Sequence, residues 1–417
     1  MSRIAVVVPT RNRADLAAAA VRSVVDQGVP GVAVVVSDNS TDQRESERLE
    51  RLCATLDPDA IRLVRPPEPM AMVAHWQWAL DTALAQTGAG HVAFLTDRMI
   101  FKAGELEPVI RLCRAHPGDV LAYNHDAVLD DEQPVRVRQE PWSGRLFRVR
   151  SDHLLFLSSR AVIHASLPRM LNCLVPRAVL ESVAGRFGTV FASVSPDFCF
   201  AYRCLATVPS TLYYDKAPLV HYALPRSHGA SVVRGVDSET RLDFVAQLGS
   251  AGMNFAAPVP EFQTIRNAIL HEYAYVRAES GSDAFPEIDP RGYLAAIVED
   301  LSQAESREMR ARMLDVLSDN GWVGAPKKRY DAAMLAIRVM FRGWDVVRLG
   351  SRLATRLVPV GPRFATSAEA LAHVQRSPRP PETGLEHVPA LFSRPGATTE
   401  IVGPATSEPT PRVPAPG

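Results

Sequence analysis

The 417-residue sequence has no Gly-x-Gly-x-x-Gly after its first apolar run and no Gly-Lys-Ser/Thr phosphate loop anywhere. Both absences argue against dinucleotide binding and P-loop chemistry. The five cysteines, Cys53, Cys113, Cys173, Cys199 and Cys204, form no CxxC pair and show no finger-like Cys/His spacing. A disulfide scaffold and a zinc module are therefore not expected, and a reducing cytoplasm fits best. Lys+Arg and Asp+Glu are equal at 46 each, so no global field draws nucleic acid, and any basic surface must be regional. The longest early apolar stretch, Leu16 to Val25, is short and interrupted by Arg22, and the first residues lead straight into a strand. The expectation is a chain without signal peptide or transmembrane helix.

What is present reads as alternating strands and helices. Ile4 to Pro9, IAVVVP, and Val32 to Val36, VAVVV, are β-branched runs of the kind a parallel strand covered on both faces requires. Between them, the polar turn Thr10-Arg11-Asn12-Arg13 precedes a helical face of Leu16, Ala20, Val21, Val24 and Val25. A charged helix from about Thr41 to Leu56, a strand Ile61 to Val64, and a helix from about Met70 to Gln86 follow. The next strand, His91 to Leu95, ends at Thr96-Asp97-Arg98. Four strands alternating with helices predict one mostly parallel α/β sheet flanked by helices.

In such sheets ligands collect beyond the carboxyl ends of the strands. Asp38 and Asp97 both leave strand ends, and each is either a site carboxylate or an Asx-type turn residue, Asp38 pairing with Ser40 or Thr41 in the second case. Thr10, Arg11 and Arg13 offer donors for a diphosphate at a helix N-terminus, where the helix dipole also favours anions. Their alternative role is capping and surface charge.

The order of motifs resembles family 2 of the glycosyltransferases. VVVPTRNRADL…SVVDQ (Val6 to Gln27), VVVSDNSTD (Val34 to Asp42) and the Met72/Trp76 helix followed by AFLTDR (Ala93 to Arg98) carry the resemblance. A looser match is LVPRAVLESVAGRFG…SPDFCFAYR, Leu174 to Arg203. The resemblance implies the GT-A fold and an inverting transfer from a nucleoside-diphosphate sugar to a glycan or lipid-linked acceptor, in cell-surface polysaccharide or glycoconjugate synthesis. It implies nucleotide-sugar binding by Pro9, Thr10, Arg11, Asn12, Arg13, Asp38, Asp97 and Arg98, and a catalytic base at Asp197, near the N-terminus of a helix reaching about Leu205. Asp97 and His221 are the metal candidates, with His228 a second loop histidine that is structural in its alternative reading.

The family's acidic turn normally offers two or three carboxylates to Mg or Mn. Here Arg98 and Met99 follow Asp97, and neither is a ligand for a hard cation. Two readings follow: weak or absent metal dependence, with Arg98 supplying charge-assisted hydrogen bonds, or a catalytically silent relative that binds nucleotide sugar or acts as a scaffold.

The chain divides into a nucleotide-sugar half at 1–119, an acceptor-side half with the base at 120–250, a helical region at 251–376 and a disordered Pro-rich tail at 377–417. Val120 to Val149 reads as a hairpin-like insertion, and Ser227 to Ser231 as a mobile loop. Helices are expected at Phe262 to Arg277, Arg291 to Leu301 and Glu305 to Leu317. The stretch Ala332 to Leu357, with Trp344 on its apolar stripe and Arg338, Arg342, Arg348, Arg352 and Arg356 nearly unopposed, either packs on the catalytic domain or lies on an anionic membrane at the inner face.

Overall fold

In the computed structural model of the chain, residues 3–56, 60–131, 133–139, 142–226, 264–303, 362–376, 391 and 394–401 are described. The expected strands and helices open the fold in the expected order: β1 (Ile4–Thr10), α1 (Ala14–Val25), β2 (Val32–Asp38), α2 (Gln43–Ala54), β3 (Ile61–Val64), α3 (Met72–Thr87) and β4 (His91–Phe94). The charged helix α2 buries only Leu49 and Cys53, as a surface helix should. The helix α3 turns His75, Trp76, Ala79, Leu80 and Ala83 inward and stops at Gly88, whose φ of 60° suits a residue without a Cβ.

After the Asp97 turn come β5 (Met99–Phe101), α4 (Leu106–Ala115), β6 (Leu121–Leu129), β7 (Val135–Arg138), β8 (Leu146–Arg150), α5 (Ser151–Ser159), β9 (Cys173–Pro176), α6 (Arg177–Phe187), α7 (Pro196–Thr207) and β10 (Ser210–His221). Further on lie α8 (Ile265–Ser280), α9 (Pro290–Gln303), β11 (Arg363–Phe364), α10 (Ser367–Arg376) and β12 (Thr398–Ile401).

The strands form one sheet in the order β12-β8-β10-β6-β9-β4-β1-β2-β3. β3, β2, β1 and β4 are parallel neighbours. β9 runs antiparallel to both β4 and β6, so β6 again points the way β4 does, and β10 runs parallel to β6. This is the mostly parallel α/β sheet expected. Helices α3, α6 and α7 bury one core with Trp76, Phe94, Phe191 and Phe200, while α1, α2 and α4 bury the other against Val6, Val34 and Leu121.

Two sequence expectations need correction. The stretch 120–149 is not an insertion, since β6 is an inner strand of the sheet and only β7 folds back on it as a hairpin. β6 reads LAYNHDAVL, and the polar residues in its centre hid its burial. In the sheet β9 joins β4 to β6, so pairing is continuous across residue 119. Finally, Thr398–Ile401, inside the stretch expected to be a disordered tail, pairs antiparallel with β8. A four-residue edge strand needs only a neighbour with free backbone groups, and no local composition announces it. The expected loop at 227–231, the helix at 305–317, the basic helix at 332–357 and most of the tail lie outside the described residues. No helix among the described residues is long and apolar enough to cross a membrane.

Beneath β4 the rings of Trp76, Phe94 and Phe191 meet at centroid distances of 5.2 to 5.5 Å, tying α3, β4 and the loop before α7 into one aromatic knot. Phe94 is three residues from Asp97 and fully buried. Phe94→Ala should lower unfolding free energy by about 3–5 kcal/mol, measured by urea denaturation; a change below about 1 kcal/mol would show that the knot is not a keystone.

Candidate functional site

β1, β2 and β4 end together. The register sets Thr10 opposite Asp38 and Val7 opposite Phe94, so Asp97, three residues past Phe94, reaches the level of Thr10. Thr10 Oγ1 donates to Asp97 Oδ2 at 3.0 Å and Arg13 Nη1 to Asp97 Oδ1 at 3.4 Å. Asp97 is 4% exposed, so this carboxylate is buried but paired, and its two oxygens are held by residues 84 and 87 positions away.

Asp38 makes the turn with Ser40 that the sequence left as one of its two readings. Ser40 N–H donates to its Oδ1 at 3.0 Å, Arg65 Nε to its Oδ2 at 3.0 Å, and the Ser46 hydroxyl also donates to Oδ2. Burial pushes the Asp38 carboxyl upward, but these bonds together outweigh it and hold the group below the usual carboxylate range. The Asx turn with Ser40 is therefore present, and the Arg65 partner was not anticipated.

The polar turn after β1 is tied to the turn after β2. Asn12, at φ 55°, accepts from Thr41 N–H and Asp42 N–H at 2.9 and 3.0 Å and donates its Nδ2 to Thr41 Oγ1. Pro9 is buried in β1 opposite Ser37, and Arg11 Nη1 reaches the Met70 carbonyl at 3.4 Å. Ala14 N–H, the first helical donor of α1, is taken by Glu45 Oε2 at 2.9 Å, so a protein carboxylate already occupies part of the helix terminus expected to meet a diphosphate. Asn39 escaped notice in the sequence: its amide exchanges two 2.8 Å bonds with the backbone of Met70 and fixes the entry to α3.

Arg98 and His221 are brought together by sheet pairing. β5 runs antiparallel to the end of β10, with His221 opposite Met99, and Arg98 Nη1 lies 2.6 Å from His221 Nε2. Burial, then the Arg98 charge, hold the His221 imidazole far below its ordinary value, so it accepts as a neutral ring. Burial also draws Arg98 down to about 10, leaving it a cation at neutral pH. His125 stands edge-on to His221 at 6.0 Å.

These residues do not fit a hard divalent cation. Such ions take six or more oxygens, whereas Asp97 is engaged by Thr10 and Arg13, the next side chain is a cation, and that cation sits on His221. Among the described residues no three His, Cys, Asp or Glu side chains gather as a metal group. His228 lies outside the described residues.

Asp197 is the second residue of α7. Burial raises its carboxyl above the ordinary range, offset by the charge of Arg169 and by the N–H groups of Phe198 and Asp197. Arg169 stands over the Phe198 ring at 5.3 Å, and its charge also acts on His125 and His221. Among the described residues its guanidinium makes no hydrogen bond or ion pair. The charge of Arg169 is thus felt by both His221 and Asp197, and nothing in its sequence context marks it.

The sequence of residues 5–167 matches the profile of glycosyl transferase family 2. Among curated proteins no relative matches. Among solved structures, S. aureus TarS 1-349 in complex with UDP-GlcNAc is similar at 15% identity, over 84% of this chain and 92% of that chain, with a TM-score of 0.48. S. aureus TarS 1-349 in complex with UDP gives 15% identity over the same shares and a TM-score of 0.42. The part of the chain that is similar to glycosyl transferase family 2 thus runs from β1 to the loop after α5 and carries the motifs at the strand ends.

Proposed function

We propose that the chain transfers a sugar from a nucleoside-diphosphate donor to an acceptor hydroxyl with inversion, without requiring a divalent cation. The observation that carries this reading is the line of groups from Arg13, Asp97 and Arg98 at the strand ends, through His221 and Arg169, to Asp197. Donor-binding groups would stand at one end of that line and a base at the other.

In this reading Asp197 takes the acceptor hydroxyl proton, the acceptor oxygen forms a bond to the anomeric carbon, and the bond from that carbon to the phosphate oxygen breaks. The bonding pair leaves with the nucleoside diphosphate. Arg98 meets the charge that develops on the diphosphate, where a fixed, partly desolvated guanidinium is more effective than a solvated one. Its orientation comes from His221, which stays neutral and therefore keeps accepting across the physiological range. The acceptor class, a glycan or lipid-linked hydroxyl in surface polysaccharide synthesis, rests on the family resemblance.

Calorimetric titration with UDP, GDP, dTDP and their sugars should find one nucleotide that binds as well in EDTA as in Mn²⁺, and Arg98→Ala should weaken it about 10- to 100-fold. Turnover abolished by EDTA and restored by Mn²⁺ would refute metal independence.

Asp197→Asn should bind that nucleotide normally and release diphosphate from the donor at least about 100-fold more slowly. An unchanged rate would remove Asp197 from the reaction.

The acidic limb of the rate profile supplies a third test. A base works ionised, so the rate rises with pH through the Asp197 value. Arg169 holds that value down against burial, so Arg169→Gln should move the limb to higher pH and Arg169→Lys should largely restore it. An identical limb in Arg169→Gln would separate Arg169 from the base.

A further inference from the structure

Asp197 owes its position to a helix that the sequence places nearly 70 residues downstream. The turn before α7 passes through Ser193, a non-glycine residue at φ 63°, and the N-cap residue Ser195 makes no side-chain capping bond. The donors of this turn are satisfied from α8. Glu272 Oε1 accepts Val194 N–H at 2.9 Å and Ser195 N–H at 2.6 Å, and Ser193 Oγ lies 2.8 Å from His271 Nε2. His271 and Glu272 are adjacent in α8, and Glu272 is 0% exposed.

The two helices are locked together along their length. The Tyr202 and Tyr273 rings meet edge to face at 5.3 Å, and Arg203 grips Glu279 through Nε and Nη2 at 3.0 and 2.7 Å. A displacement of α8 is therefore transmitted to the turn that aims Asp197. No solvent reaches Glu272 to replace it, so an apolar residue there would leave two buried N–H groups without acceptors.

Taking Asp197 as the base proposed above, we infer that Glu272, assisted by His271, is the positioning residue of that base: it receives the Val194 and Ser195 N–H groups and so sets the direction in which Asp197 enters the site. The inference makes α8 part of the catalytic apparatus, although it lies outside residues 5–167. Burial pushes the Glu272 carboxyl up to about 8, against the lowering bonds from Ser195, Ser193 and Val194 and with the Asp197 charge adding to the rise. Cys199, Tyr202 and Tyr275 also feel its charge. Gln can reproduce the accepting oxygen of Glu272 without its ionisation.

The test compares Glu272→Leu with Glu272→Gln in the full chain, reading diphosphate release from the UDP-, GDP- and dTDP-sugars with water or added glycans as acceptor, together with Tm and nucleotide Kd. Glu272→Leu should lower kcat on the order of 10- to 100-fold while nucleotide Kd stays unchanged, and Glu272→Gln should recover most of that loss. A folded Glu272→Leu protein with wild-type kcat, or equal losses in the two variants, would overturn the inference. Should Glu272→Leu not fold, Ser193→Ala decides: a fall in kcat at constant nucleotide Kd and Tm supports positioning from α8, and an unchanged kcat opposes it. Asp197→Asn is the separate control. If that variant keeps its rate, the base assignment fails; if it loses activity while Glu272→Leu does not, only the role of Glu272 fails.

Discussion

The parallel register of β1 with β2 and β4 is the constraint on which the strand-end cluster of this protein depends. A parallel ladder leaves no freedom for one strand to end early relative to the next without exposing backbone donors and acceptors. Because Val7 faces Phe94 and Thr10 faces Asp38, the polar residues that follow each strand emerge on one rim. Thr10, Arg13 and Asp97 then meet within hydrogen-bonding distance despite separations of more than 80 residues. A one-residue slip in any of these strands would turn its side chains to the other face and disband the cluster.

The other side of the candidate site depends on a different device. β10 is twelve residues long and touches β5, β6 and β8, so a single strand carries His221 up to Arg98 and anchors the far half of the sheet. From there the charge of Arg169 reaches toward α7, whose leading turn is held from α8. The protein therefore places a cation directly after Asp97 in the strand-end turn, and fixes that cation with a neutral histidine. A guanidinium cannot lose its proton at neutral pH even when burial lowers its affinity, so Arg98 stays charged at this point.

Much of the fold was legible in the residues. β-branched runs with polar ends identified β1, β2 and β4, and helical stripes identified α1, α2 and α3, because both signals are local and repeat at the period of the element. Asp97 and Arg98 were recognisable as strand-end residues, and Asp197 as a residue near the N-terminus of a helix. The departure from the family's acidic turn was also visible, since it needs only the identities of residues 97 to 99.

Tertiary structure decided everything that required two distant segments to meet. Only the pairing of β5 with β10 sets Arg98 on His221, and only the packing of α8 on α7 gives Glu272 its two backbone donors. The carboxylate of Asp38 turned out to be held by Ser46 and Arg65, and the first turn of α1 to be capped by Glu45, because side chains in one loop serve backbone in another. Sequence patterns record which face of an element is apolar, through short-range periodicity. They carry no record of which polar group will find which partner, because that is set by distances between elements once the apolar faces have packed.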